Sequence, residues 1–192
     1  MTNYIFFDFD GVLNTFKKHL IEISPPSEEE TLALKKFPLI PFTSGKYLSH
    51  NPKKVIRAFR AFDTDLIANA NYLLDNINYT PIVSSAWRNT FNTNAINHIL
   101  KFVGFKHTFL DSIPRYDQVA IEPRGYLIEE FLTKNRSTKR THHIVIDDLN
   151  IEHINGFNVD VYKTNSYIGL TKEIVTSILA RATRADSTCT LA

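Results

Sequence analysis

Residues 4–14 read Tyr-Ile-Phe-Phe-Asp-Phe-Asp-Gly-Val-Leu-Asn. Four consecutive apolar side chains, Tyr4 to Phe7, have the length and composition of a strand covered on both faces. Such a run gains nothing by ending in two carboxylates separated by one phenylalanine. Asp8 and Asp10 repel each other, and each loses hydration as it is covered. Water, a metal ion or a catalytic task must account for them. A calcium loop beginning at Asp8 would require a glutamate at its twelfth position, where the chain has His19, and would follow a helix rather than an apolar strand. A solvated turn explains Asp10-Gly11 but not the acid before it.

Working outward, short apolar segments alternate with amphipathic ones. Strands are expected over 4–9, 81–85, 107–111, 142–148 and 158–163. Helices are expected over 64–77, 92–104, 123–135 and 171–182; Ile96, Ile99, Leu100 and Val103 illustrate the helical spacing, with Gly104 as a stop. This alternation predicts an α/β fold: a doubly wound, Rossmann-like parallel sheet with right-handed crossovers. Residues 15 to about 62 interrupt it. They mix prolines with basic and aromatic residues and are too long for an ordinary connection, so a small inserted cap or flap is expected after the first strand. Residues 1–182, this insertion included, read as a single domain, and 183–192 as a mobile tail.

Composition narrows the function classes. The 192 residues carry a formal charge of +2, too small to imply nucleic-acid binding by itself. Cys189 is the single cysteine, so no internal disulfide forms. No signal-like or membrane-length apolar stretch is present, which makes a cytoplasmic location the expectation and a membrane partner unexpected. Asn78 and Asn135 begin glycosylation sequons that carry no meaning without export. His142 and His143 adjoin on a strand, where neighbouring side chains point to opposite faces; that favours a structural or surface pair over a zinc site.

In an open parallel sheet, ligands gather beyond the carboxyl ends of the strands. There the sequence places Asp8 and Asp10, Ser84 and Ser85, then Asp147 and Asp148. Asp148 also suits a helix cap. Arg124 opens a predicted helix, where a cation opposes the macrodipole unless it faces an anion; a surface arginine is the alternative. Ser84 and Ser85 are small donors suited to an oxygen-rich ligand or are mere strand-end hydroxyls. Carboxylates gathered at one spot need a divalent cation, and oxygen ligands without His or Cys point to Mg²⁺.

Taken together, "FFDFDGVLN", "PIVSSAWR", "PRGYLIEEFL" and "HHIVIDDLN" resemble, in order, the four motifs of the haloacid dehalogenase (HAD) superfamily of phosphohydrolases. The "SSAWR" form, the downstream Arg124-Gly125 and the late Gly169-Leu170-Thr171 resemble more narrowly the branch associated with RNA-repair proteins of the Swiss-army-knife type. The resemblance implies Asp8 as the nucleophile, forming an aspartyl-phosphate, and Asp10 as general acid and then base. It implies Mg²⁺ held by Asp8, the Asp10 carbonyl and Asp148 or Asp147, with Ser84 or Ser85 and Arg124 on the phosphoryl group; aligning through Trp87 favours Ser85. The expected substrate is a phosphomonoester, with a nucleotide or nucleic-acid end favoured and no obligate protein partner evident. The alternatives are a phosphotransferase, a protein-phosphate hydrolase, or a non-catalytic module that binds a partner.

Overall fold

Tyr4–Phe7 forms strand β1, and each of its four side chains is buried. In the computed structural model, the described residues are 2–15, 24–37, 40–41, 47–48, 51–116, 123–151 and 154–189. Strand β1 is followed by helix α1 (Glu28–Lys35), the short strands β2 (Ile40–Pro41) and β3 (Tyr47–Leu48), and helices α2 (Pro52–Ala61) and α3 (Thr64–Asp75). Next come β4 (Thr80–Val83), a 3₁₀ turn (Ala86–Asn89), α4 (Thr93–Phe102), β5 (Asp111–Ser112), α5 (Arg124–Lys134), β6 (His142–Asp147), β7 (Asn158–Lys163) and α6 (Lys172–Cys189).

The main sheet has the order β5-β4-β1-β6-β7, and every pairing in it is parallel. The chain leaves β1 toward β4 on one side and later returns to β6 on the other. Strand β1 therefore lies at the switch in strand order, where an open sheet offers a crevice at its carboxyl edge. The expected α/β class is the observed one.

Alternation along the strands splits the core into two layers. Ile5, Phe7, Val83, Ile144 and Ile146 join one cluster with side chains of α2, α3, α4 and α6. Tyr4, Phe6, Ile82 and Val145 join a second, with Leu127, Ile128, Phe131 and Leu132 of α5. Phe6 is fully buried, and a side chain of that size contributes about 1.5–3 kcal/mol by leaving water.

The third sheet segment departs from expectation: it is limited to Asp111–Ser112 rather than 107–111. The backbone of Phe109 is taken by Asn97 of α4, whose side-chain oxygen accepts the Phe109 N–H and whose amide donates to the Phe109 carbonyl, both at 2.9 Å. Those groups are thus unavailable to a ladder. The described part of the insertion packs into the domain: Val55, Ile56, Ala58 and Phe59 of α2 belong to the larger core cluster. Arg60 ties α2 to α1 through Glu30, with Nε–Oε1 at 2.6 Å. Helix α6 continues through Cys189. Residues 16–23, 38–39, 42–46, 49–50 and 190–192, which belong to the predicted insertion and tail, lie outside the described residues. Among the described residues no helix is long and apolar enough to cross a membrane.

His142 and His143 form the structural pair that the sequence suggested. His142 Nδ1 meets the Tyr79 hydroxyl at 2.6 Å and its Nε2 meets Asp160 Oδ2 at 2.9 Å. His143 accepts the Tyr4 backbone N–H at Nδ1 and meets Thr141 Oγ1 through Nε2.

Candidate active site

Register places the first three site residues. Phe7 lies opposite Val83 on β4 and Ile146 on β6. The next row across the sheet is therefore Ser84, Asp8 and Asp147. Continuing the alternation from Phe6, Ile82 and Val145, this row faces the α5 layer. The row is stitched by backbone bonds: Asp8 N–H donates to the Ile146 carbonyl at 3.0 Å, and Ser84 N–H to the Phe7 carbonyl at 2.9 Å.

Arg124 enters from the first turn of α5 and is buried. Its Nη1 lies 2.8 Å from Asp8 Oδ2 and 2.6 Å from Asp147 Oδ2. A surface arginine is thereby excluded. The two carboxylates offset the unfavourable placement of a cation at a helix N-terminus.

Asp8, Asp147 and Asp148 each present an oxygen within 4.8 Å of the others. Burial pushes the Asp8 carboxyl up to about 7; Arg124 pulls it down and Asp147 raises it further. Burial likewise raises Asp147, with Arg124 opposing. One guanidinium cannot neutralise three ionised carboxylates, so the group fits a divalent cation. Oxygen donors without His or Cys suit Mg²⁺ better than zinc or a softer metal.

Neighbouring loops fix the donors. Asp147 Oδ1 accepts the Leu149 N–H at 2.9 Å, and Ser166 Oγ donates to Asp148 Oδ2 at 2.6 Å. Gly11 adopts φ +71°, and a Cβ there would lie 2.4 Å from Asp148 Oδ2. Only glycine lets the turn after β1 close on that carboxylate. Thr164 Oγ1 donates to the Gly11 carbonyl at 2.7 Å, joining this turn to the segment after β7.

Asp10 adds no carboxylate to the three-acid group. Its Oδ1 accepts from Asn14 Nδ2 at 2.9 Å, and both its oxygens accept from Trp87 Nε1 at 3.2 and 3.1 Å. The indole is held among Phe9, Phe62 and Phe91. Two acids one residue apart thus face different partners, which equips them for different tasks.

The serines also separate. Ser85 caps the 3₁₀ turn by accepting the Trp87 N–H at 3.4 Å. Ser84 Oγ is buried and makes no hydrogen bond among the described residues. Arg88 is buried beneath them and donates to the carbonyls of Ser84, Ser85 and Pro114. Trp87, Asn14, Ser166, Thr164 and Arg88 were not singled out as site residues from the sequence.

With this geometry in place, comparison with known proteins is direct. Residues 4–175 match the family described as the HAD domain in Swiss Army Knife RNA repair proteins. None of the curated proteins matches the chain. Among solved structures, the HAD domain of the effector protein Lem4 from Legionella pneumophila, an inactive mutant, is similar at 15% identity and a TM-score of 0.49, over 98% of each chain. The β-phosphoglucomutase of Clostridium difficile is similar at 16% identity and a TM-score of 0.44, over 94% of this chain and 98% of that one.

Proposed function

We propose, for a chain that belongs to the family of HAD domains in Swiss Army Knife RNA repair proteins, a magnesium-dependent hydrolysis of phosphomonoesters through an aspartyl-phosphate. Phosphoryl transfer is the chemistry of the superfamily. The observation that carries the specific reading is the convergence of Asp8, Asp147 and Asp148 around Arg124.

Asp8 is the nucleophile. Its carboxylate oxygen attacks phosphorus as the bond to the ester oxygen breaks. Asp10 delivers a proton to that leaving oxygen, then takes one from the water that attacks the aspartyl-phosphate. Inorganic phosphate leaves and Asp8 is regenerated. Asp8, Asp147, Asp148 and the Asp10 carbonyl would hold Mg²⁺, which would supply positive charge against the phosphoryl oxygens and let Asp8 react ionised. Arg124, Ser84 and Ser85 bind those oxygens, and the buried unbonded hydroxyl of Ser84 supports a ligand beside it. The separate bonding of Asp10 supports its role in proton transfer rather than in metal binding by its side chain.

A screen of phosphorylated compounds, nucleotides and oligonucleotide ends included, with and without Mg²⁺, tests the reading. Phosphate release that needs Mg²⁺ and disappears in Asp8→Asn is the expected result. Release that persists in excess chelator overturns the metal assignment. A function retained by Asp8→Asn would mark a binding module instead.

A further inference from the structure

Asp147 and Asp148 adjoin in sequence but differ in what they leave for a cation. Both carboxylate oxygens of Asp147 are engaged, Oδ2 by Arg124 Nη1 at 2.6 Å and Oδ1 by the Leu149 N–H at 2.9 Å. Asp148 is half-buried, and its carboxylate accepts one hydrogen bond among the described residues, from Ser166 Oγ to Oδ2 at 2.6 Å. Its other oxygen, Oδ1, is taken by no donor there.

Oδ2 is firmly held. A hydroxyl bound to a carboxylate at this distance is a short, charge-assisted hydrogen bond, one of the strong kind. Gly11 also closes on the same oxygen, since a Cβ at that position would run into it. The turn that carries Ser166 is fastened in its own right. Thr164 Oγ1 donates to the Gly11 carbonyl at 2.7 Å, and Leu170 N–H to the Val12 carbonyl at 2.9 Å. Asn69 Nδ2 of α3 donates to the Leu170 carbonyl at 2.8 Å. The hydroxyl is therefore set by the turn after β1 and by α3 as well as by its own strand, and Asp148 cannot turn Oδ2 away without breaking a strong bond.

Resting on the magnesium reading above, we infer that Ser166 is a positioning residue that limits Asp148 to one available oxygen and so biases the site toward Mg²⁺ and against Ca²⁺. The two cations ask different things of a carboxylate. Mg²⁺ is small, demands near-octahedral geometry and keeps several waters, so one oxygen per carboxylate suits it. Ca²⁺ takes six to eight oxygens in a flexible arrangement and readily draws both from one carboxylate. A bond that occupies Oδ2 denies that second mode. The same bond fixes the direction of Oδ1, as outer partners of metal ligands do.

Calorimetric titration of Mg²⁺ and of Ca²⁺, separately, into the parent, Ser166→Ala and Ser166→Thr tests the inference. Ser166→Ala is expected to bind Mg²⁺ about tenfold more weakly and Ca²⁺ no more weakly than the parent, so the preference for Mg²⁺ falls by about tenfold or more. Ser166→Thr keeps a hydroxyl and should keep the parent's preference. Thermal unfolding without metal should give Ser166→Ala a Tm close to the parent's. Equal weakening of both cations, or of neither, overturns the inference. So does a loss of preference as large in Ser166→Thr as in Ser166→Ala, or a collapse of the metal-free fold in Ser166→Ala, each of which marks a structural serine. A parent that binds neither cation defeats the magnesium reading itself, whereas a parent that binds both, with a ratio unmoved by Ser166→Ala, defeats this inference alone.

Discussion

The indole nitrogen of Trp87 lies 3.2 and 3.1 Å from the two carboxylate oxygens of Asp10, across 77 residues of sequence. With the Asn14 amide, this N–H directs the acid proposed for proton transfer. The edge-to-face packing of Phe9 on the indole, with centroids at 5.9 Å, holds the donor in place. Trp87→Phe keeps most of the ring and deletes the donor. It is expected to lower kcat about 100-fold with little change in KM, because a displaced acid loses alignment rather than substrate binding. In an Asp10→Asn background the same change should cost far less, since both substitutions remove one function. Full additivity of the two effects would show that Trp87 acts elsewhere.

Gly11→Ala tests the turn that closes on Asp148. The new methyl would meet Asp148 Oδ2 at 2.4 Å in a backbone at φ +71°. The left-handed conformation alone costs about 1–2 kcal/mol for a residue with a Cβ, and the carboxylate must also move. Both a lower Tm and Mg²⁺ affinity weakened by about 10–100-fold are expected. Mg²⁺ titration read by calorimetry checks the second effect; unchanged affinity would place the ion away from Asp148.

Asp8 links stability to pH and to metal. Burial raises its carboxyl from the ordinary 3.8 to about 7. Between these values the folded chain holds a proton that the unfolded chain has released, so this group's contribution to stability falls as pH rises through the window. Asp8→Asn removes the cost of a buried charge. The variant should unfold at a higher temperature than the parent at pH 8, and the gain should shrink toward pH 4. Mg²⁺ competes with the Asp8 proton, so it should raise the parent's Tm more at pH 8 than at pH 6. Thermal scans at the three pH values, with and without Mg²⁺, read both effects. Equal Mg²⁺ shifts at pH 6 and 8 would contradict the coupling.

How far this site could be read from the sequence follows from the range over which each signal acts. Asp8, Asp147 and Asp148 announce themselves because they terminate apolar runs, and the sheet register carries Asp8 and Asp147 onto one row with Asp148 next to it. Arg124 announces itself as a cation in the wrong place on a helix, but its partners do not. Their proximity arises only when α5 lies against β1 and β6. Ser166 and Thr164 sit in an unremarkable polar turn, and their bonds to Asp148 and Gly11 depend on the β6–β7 pairing. The helical spacing of Val55, Ile56 and Phe59 did carry the information that α2 joins the main core. The basic Lys53, Lys54, Arg57 and Arg60 around them obscure that signal.

His143 gives a second pH dependence, remote from the acids and opposite in sign. Its Nδ1 accepts the Tyr4 N–H at 3.1 Å, so the ring proton lies on Nε2 and is directed at Thr141 Oγ1, 2.9 Å away. That hydroxyl donates onward to the Thr138 carbonyl at 2.6 Å, and the ring stacks on Tyr4 with centroids 5.6 Å apart. Charging the imidazole would set a second donor against the Tyr4 N–H inside the core. Burial, aided by His142, lowers its pKa from 6.5 to about 4. Here the unfolded chain binds the extra proton, so the contribution is complete above pH 6.5 and is lost as pH falls toward 4. The loss amounts to about 3 kcal/mol across the window. His143→Gln keeps an acceptor for Tyr4 and cannot titrate. Urea unfolding of parent and variant at pH 7.5, 6, 5 and 4 should therefore show the parent losing more stability than the variant on acidification, and parallel losses would sink the assignment.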